Sequence, residues 1–141
     1  MTDIGATKGH GAVAGGVRSL LRVEGLALFC AATAFYALSG ASWWLFAVLF
    51  LAPDLSFLAY LASPRAGAVA YNALHATVGP LLLALAGIVL PWPMAQPLAL
   101  IWLGHIGFDR ALGYGLKYAA GFGVTHLGRI GRAERPISPP A

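Results

Sequence analysis

The sequence predicts an all-α fold, an integral membrane four-helix antiparallel bundle with a Gly-rich cytoplasmic C-terminal segment. Three observations predict it. Of the 141 residues, 59% are hydrophobic and only 10% are charged, against about 45–50% and about 25% in soluble domains. The apolar residues fall into four runs, 20–38, 42–62, 66–90 and 94–112. Each is close to the roughly 20 residues a helix needs to cross about 30 Å of hydrocarbon. Finally, the basic residues gather at one end of the array. Lys8, Arg18 and Arg22 precede or open the first run, and Arg65 sits between the second and third. Arg110, Lys117, Arg129, Arg132 and Arg135 close the fourth or follow it, while the first and third connections carry no charge. The positive-inside rule then places both termini and the second turn in the cytoplasm.

Taken in order, residues 1–18 read as a disordered cytoplasmic tail rich in glycine. Residues 19–131 form the four-span domain. Its turns are Ser39-Gly40-Ala41, Ser63-Pro64-Arg65 and Pro91-Trp92-Pro93, short enough to force antiparallel neighbours. Trp43, Trp44 and Trp92 fall where indoles prefer to sit, at the outer interface. Ala27, Ala31, Ala34, Gly104 and Gly107 read as close helix contacts. After Leu112, six glycines interleave with Tyr114, Lys117, Tyr118, Phe122, His126 and Arg129, which suits a strip lying on the inner membrane surface. Residues 132–141 read as a flexible tail. A cleavable leader ending near Ala41 is the rival reading of the first run, and Glu24 inside the apolar stretch argues against it.

Several function classes drop out. A single cysteine, Cys30, excludes an internal disulfide framework and any multi-cysteine zinc site. The nine basic residues are scattered singly, so no nucleic-acid partner is expected. Gly113 and Gly115 follow no strand and are too little for a nucleotide-binding motif.

Ionisable side chains are costly in hydrocarbon, so each is a site candidate. The four runs carry Glu24, then Asp54, then Asn72 with His75, then His105, Asp109 and Arg110. At a rise of about 1.5 Å per residue, Glu24 and Asp109 lie roughly 5–8 Å deep, Asp54 about 12 Å and His75 about 14 Å, with His105 near the same level. All four helices thus place polar groups in the inner half of the bundle. His105 and Asp109, at i and i+4, share a face, so Asp109 can accept an imidazole N–H unless Arg110 claims it. The proposed ligands of a metal are Glu24, Asp54, His75, His105 and Asp109, and the proposed catalytic set is His75, His105 and Asp109. Imidazoles with carboxylates suit zinc or non-haem iron. The plain alternative is a structural network in which arginines neutralise the shallow acids and the histidines bond to their neighbours. Tyr60 and Tyr71 read as interfacial anchors and His126 as a surface histidine.

Further stretches stand out: Arg22-Val23-Glu24-Gly25, Ala52-Pro53-Asp54-Leu55-Ser56, Tyr71-Asn72-Ala73-Leu74-His75 and His105-Ile106-Gly107-Phe108-Asp109-Arg110, then Leu112-Gly113-Tyr114-Gly115-Leu116-Lys117-Tyr118, Gly121-Phe122 and Thr125-His126-Leu127-Gly128-Arg129-Ile130-Gly131. Through them the chain resembles a family of small four-span bacterial inner-membrane proteins, a domain of unknown function. The resemblance implies the same fold and a multi-pass place in the bacterial inner membrane, and brings no catalytic role with it.

The sequence favours a structural or partner-binding membrane subunit with a buried His/carboxylate network, set in the lipid bilayer beside a protein partner or further copies of itself. The alternative is a membrane-embedded, metal-dependent enzyme acting on a lipid or apolar substrate at the inner leaflet. Ion or solute transport has the least support, since the chain shows no inverted repeat.

Overall fold

The computed structural model describes residues 12–130. The expected tails lie largely outside them, except that helix already begins at Gly15. The element order is α1 (Gly15–Leu38), α2 (Trp43–Leu49), a 3₁₀ helix (Ala52–Leu61), α3 (Pro64–His75), α4 (Val78–Val89), α5 (Ala95–Leu112), β1 (Val124–Thr125) and β2 (Gly128–Arg129). The fold is all-α, its sheet a single two-stranded hairpin.

Helix α5 is the centre, packed along α1 and also against α4 and α2, while α3 packs on the 3₁₀ helix. The α1–α5 crossing is set by two glycines. A Cβ on Gly107 would lie 2.6 Å from the Phe29 nitrogen and 2.7 Å from the Gly25 oxygen. A Cβ on Gly25 would lie 2.8 Å from the Ala111 nitrogen. Only hydrogen fits where the two backbones touch. The contact stripe continues through buried Ala32 and Tyr36. The expected stripe through Ala27, Ala31 and Ala34 is corrected, because all three are exposed. Gly25 fixes the rotation of α1 and turns them outward.

The second and third runs are not straight helices. Pro53 lacks the N–H that would continue α2, and the chain tightens into ten residues of 3₁₀ helix, an unusual length. Three residues per turn put Asp54, Phe57 and Tyr60 on one face. The third run bends by 42° between α3 and α4. Ala76 is extended there, and Pro80 sits in the first turn of α4. The bend strips the Leu74 carbonyl of its helical donor, and the Trp102 indole N–H takes that place at 2.6 Å.

Two helices, Gly15–Ser39 and Trp43–Leu61, are long and apolar enough to cross a membrane, and the bent α3–α4 pair makes a third if it counts as one span. Large apolar side chains such as Phe35, Leu38, Trp44, Leu61, Val69 and Ile88 are exposed, which marks a membrane protein. Helix α5 is not among the apolar spans. It is the inside helix and keeps its polar groups for the interior.

The segment after α5 is folded back on the helices and carries a short hairpin. Gly113 ends α5 at φ 97°, a left-handed conformation open to glycine at little cost. The chain then folds back as a cap. Thr125 pairs with Gly128 within the hairpin, and Lys117 bridges to Thr125. Val13 N–H donates to the His126 carbonyl at 2.8 Å, tying the start of the described chain to the cap. Thr125 and Leu127 are fully buried.

Candidate metal centre

Asp54, His75, His105 and Asp109 each offer one ligand atom within 4.8 Å of all the others. The 3₁₀ helix supplies Asp54, the last turn of α3 supplies His75, and α5 supplies His105 and Asp109. The proline-tightened helix thus aims Asp54 inward, and the bend after His75 ends α3 at the level of the cluster. His75 and His105 are buried, Asp109 is 15% exposed and Asp54 33%.

The spacing is informative. The two Nε2 atoms face each other at 3.0 Å. His75 Nε2 lies 3.4 Å from Asp54 Oδ1 and 3.4 Å from Asp109 Oδ2. His105 Nε2 lies 3.5 Å and 3.7 Å from the same two oxygens. Ligand atoms about 2.0–2.1 Å from a tetrahedral zinc ion stand about 3.3–3.4 Å apart. Five edges of this tetrahedron therefore bracket the value a single ion imposes.

The protonation pattern agrees. His75 Nδ1 is 2.9 Å from the Tyr71 carbonyl, an acceptor only, so Nδ1 carries the hydrogen. In the neutral ring Nε2 is then a bare lone pair aimed at His105 Nε2. At 3.0 Å it is met either by an N–H of His105 Nε2 or, where that nitrogen is also a lone pair, by a metal ion between the two. Tyr71 reinforces the set. It stacks on the His75 ring at 3.7 Å between centroids and donates its hydroxyl to Asp109 Oδ2 at 3.2 Å. Orienting contacts of this kind accompany metal ligands. On the other ring, His105 Nδ1 is buried without a hydrogen bond. The facing backbone group is that of Phe50. Its carbonyl lost its helical donor when Asp54 N–H turned to Leu51.

The family described as Domain of unknown function (DUF4260) matches residues 18–130. The chain belongs to that family. No curated protein and no solved structure matches it. In this DUF4260 chain, four of the five expected ligands come together and Glu24 does not. Gly25 occupies the α1–α5 contact, so Glu24, one residue back, is turned out of it. It is exposed and borders a small cleft with Arg110, His126 and Leu127. His105 and Asp109 do not form the expected hydrogen bond at 3.7 Å. Among the described residues, Asp109 pairs with the two imidazoles and not with Arg110.

Two residues read as anchors or passed over are central. Tyr71 is 1% exposed and not an interfacial anchor. Its i, i+4 spacing from His75 was the signal available in the sequence. Lys117 is 4% exposed and lines a cleft of about 320 Å³ together with Asp54, Phe57, Tyr71, Asp109 and Phe122. Asn72 places it. The Asn72 side chain accepts the Lys117 N–H at 2.7 Å and donates to the Lys117 carbonyl at 2.8 Å, as a neighbouring strand would. Burial pushes the Lys117 ammonium below its ordinary pKa, while Asp109 and Asp54 push it back up. His126 is a half-buried part of the cap. Its Nδ1 accepts the Leu116 N–H at 2.8 Å, and burial holds its pKa below the ordinary value.

Proposed function

We propose that this DUF4260 protein is a multi-pass bacterial inner-membrane protein with both termini cytoplasmic. It holds a zinc or iron ion on His75, His105 and Asp109, with the Asp54 carboxylate on the side of the site that faces the cleft, and acts as a metal-dependent enzyme on an amphiphilic substrate at the inner leaflet. The near-tetrahedral convergence of four ligand atoms carries the metal reading. The enzyme reading rests on the cleft, since a purely structural cluster needs no cavity reaching its acids. A bound ion would supply Lewis acidity there, polarising a substrate oxygen. Asp54, the most exposed of the four and ionised at rest, is the group best placed to accept a proton at the cleft wall. Tyr71 fixes Asp109 and the His75 ring, and Phe57 and Phe122 wall the cleft.

One observation favours a second reading. Four protein ligands close a tetrahedral site, the arrangement of structural zinc. The ion would then clamp the 3₁₀ helix, α3 and α5 together, as expected of a structural subunit. Metal analysis of protein purified in detergent tests the shared claim. About one ion per chain is expected, with loss in both His75→Ala and His105→Ala. A wild-type protein that holds no ion, even after equilibration with zinc, contradicts it. Asp54→Asn separates the two readings. It lowers the melting temperature markedly if the ion is a clamp, and keeps both ion and fold if Asp54 serves the cleft.

A further inference from the structure

We infer that the cleft beside the cluster takes a phosphate group and that Lys117 is its binding residue. This rests on the metal reading above and names the ligand class of that site. Lys117 is the starting point, because its ammonium is buried without an ion pair. Among the described residues, no carboxylate lies within 4.0 Å of its Nζ. One N–H goes to the Phe122 carbonyl at 3.0 Å. Aromatic faces surround the rest, with Nζ 3.5 Å from the Phe122 centroid, 4.7 Å from Tyr71 and 5.3 Å from Phe57. Cation–π contacts offset part of the cost of burial, but a buried charge calls for an opposite charge.

Charge counting says which ligand answers it. A divalent ion balances Asp54 and Asp109, since the two imidazoles are neutral ligands. Lys117 then leaves the cleft with one excess positive charge. An oxyanion that places one oxygen on the ion and another on the ammonium satisfies both. Phosphate has oxygens enough to bridge them, and lysine binds it as a point charge. The cleft is at the small end of the usual range for ligand pockets, about 300–1,000 Å³, so it holds a head group and not a whole lipid. An apolar cavity of about 310 Å³ adjoins the ligands in the chain. It is lined by Pro53, next to Asp54, by Leu74, next to His75, and by Leu83, Leu98 and Trp102. Free phosphate and a phosphate carried on an aliphatic tail share the group that the cleft would take.

The test uses the full chain in detergent, loaded with Co²⁺, whose visible bands report ligands on the ion and whose paramagnetism broadens the ³¹P signal of a nearby phosphate. Inorganic phosphate and a short-chain phosphatidic acid are titrated separately. Either is expected to shift the bands and broaden the signal, and tighter binding of the phosphatidic acid assigns a lipid source. Lys117→Met is expected to keep its Co²⁺ and bind phosphate roughly ten- to hundredfold more weakly, the size of one charge-assisted hydrogen bond. Lys117→Gln keeps a donor for the Phe122 carbonyl and guards against a packing defect, and the same loss is expected there. Bound Co²⁺ with no phosphate effect, or full phosphate affinity in Lys117→Gln, overturns this inference alone. A wild-type chain that takes no Co²⁺ overturns the metal reading and this inference with it.

Discussion

Replacing Tyr71 by phenylalanine deletes one oxygen and keeps the ring that stacks on His75 at 3.7 Å. What is lost is the hydroxyl donated to Asp109 Oδ2 at 3.2 Å. Removing a hydrogen bond that orients a metal ligand typically costs 10- to 100-fold in affinity. At 3.2 Å this bond is longer than the usual 2.7–2.8 Å for O–H···O, so the low end applies. Tyr71→Phe is expected to weaken zinc binding about tenfold, or about 1.4 kcal/mol, with little change in the metal-free fold. Tyr71→Ala also removes a buried ring and adds about 3–5 kcal/mol of destabilisation. Competition with a zinc-sensitive chelator measures the first effect and thermal unfolding the second. Unchanged affinity in Tyr71→Phe would refute the orienting role of the hydroxyl. A thousandfold loss would refute it too, since the tyrosine oxygen would then be a ligand itself.

Other expectations follow from the same geometry. Gly107→Ala drives a methyl into the α1 backbone and is expected to cost about 1–3 kcal/mol. Gly104→Ala meets nothing closer than 3.8 Å and is expected to be neutral or slightly stabilising, so equal effects in thermal unfolding contradict the crossing. The depressed pKa of His126 arises from burial, aided by the charge of Arg110. The unfolded chain then binds the proton more readily, so the stabilisation is complete above the unfolded value of about 6.5 and is lost as pH falls through the lower folded value. Between those two values the melting temperature should drop more steeply with falling pH in wild type than in His126→Gln, and parallel curves would contradict it. Reporter fusions at Gly40 and Pro93 are expected to read periplasmic, and fusions at Pro64 and the C-terminus cytoplasmic. A periplasmic C-terminus contradicts the orientation.

How far the sequence carried this picture depends on what each element responds to. Helical spans follow from apolar run length, and α1 is legible that way. Depth counting put Asp54, His75 and His105 near one level, and the larger rise of the 3₁₀ helix, about 2.0 against about 1.5 Å per residue, moves Asp54 by only about 4 Å over the eight residues to Ala62. Rotation about the axis is not constant. Glu24 had suitable depth and the wrong azimuth, because Gly25 took the contact with α5. The 3₁₀ helix follows from Pro53 only once its carbonyl partners are known, and the break at Ala76–Thr77 arises from Pro80 acting back on the preceding turn. Lys117 was illegible for another reason. It is placed by Asn72 across 45 positions of chain, and no local pattern encodes such a pairing. The cap hairpin was hidden by its glycines, which fit a tight turned fold as well as an irregular strip.

The centre itself is tested most directly by X-ray absorption on the zinc-equilibrated, detergent-purified protein. A first shell of nitrogen and oxygen at about 2.0–2.1 Å is expected, with the outer-shell scattering of two imidazoles, which falls away in His75→Ala and His105→Ala. A shell without imidazole scattering, or one unchanged in both variants, would contradict it.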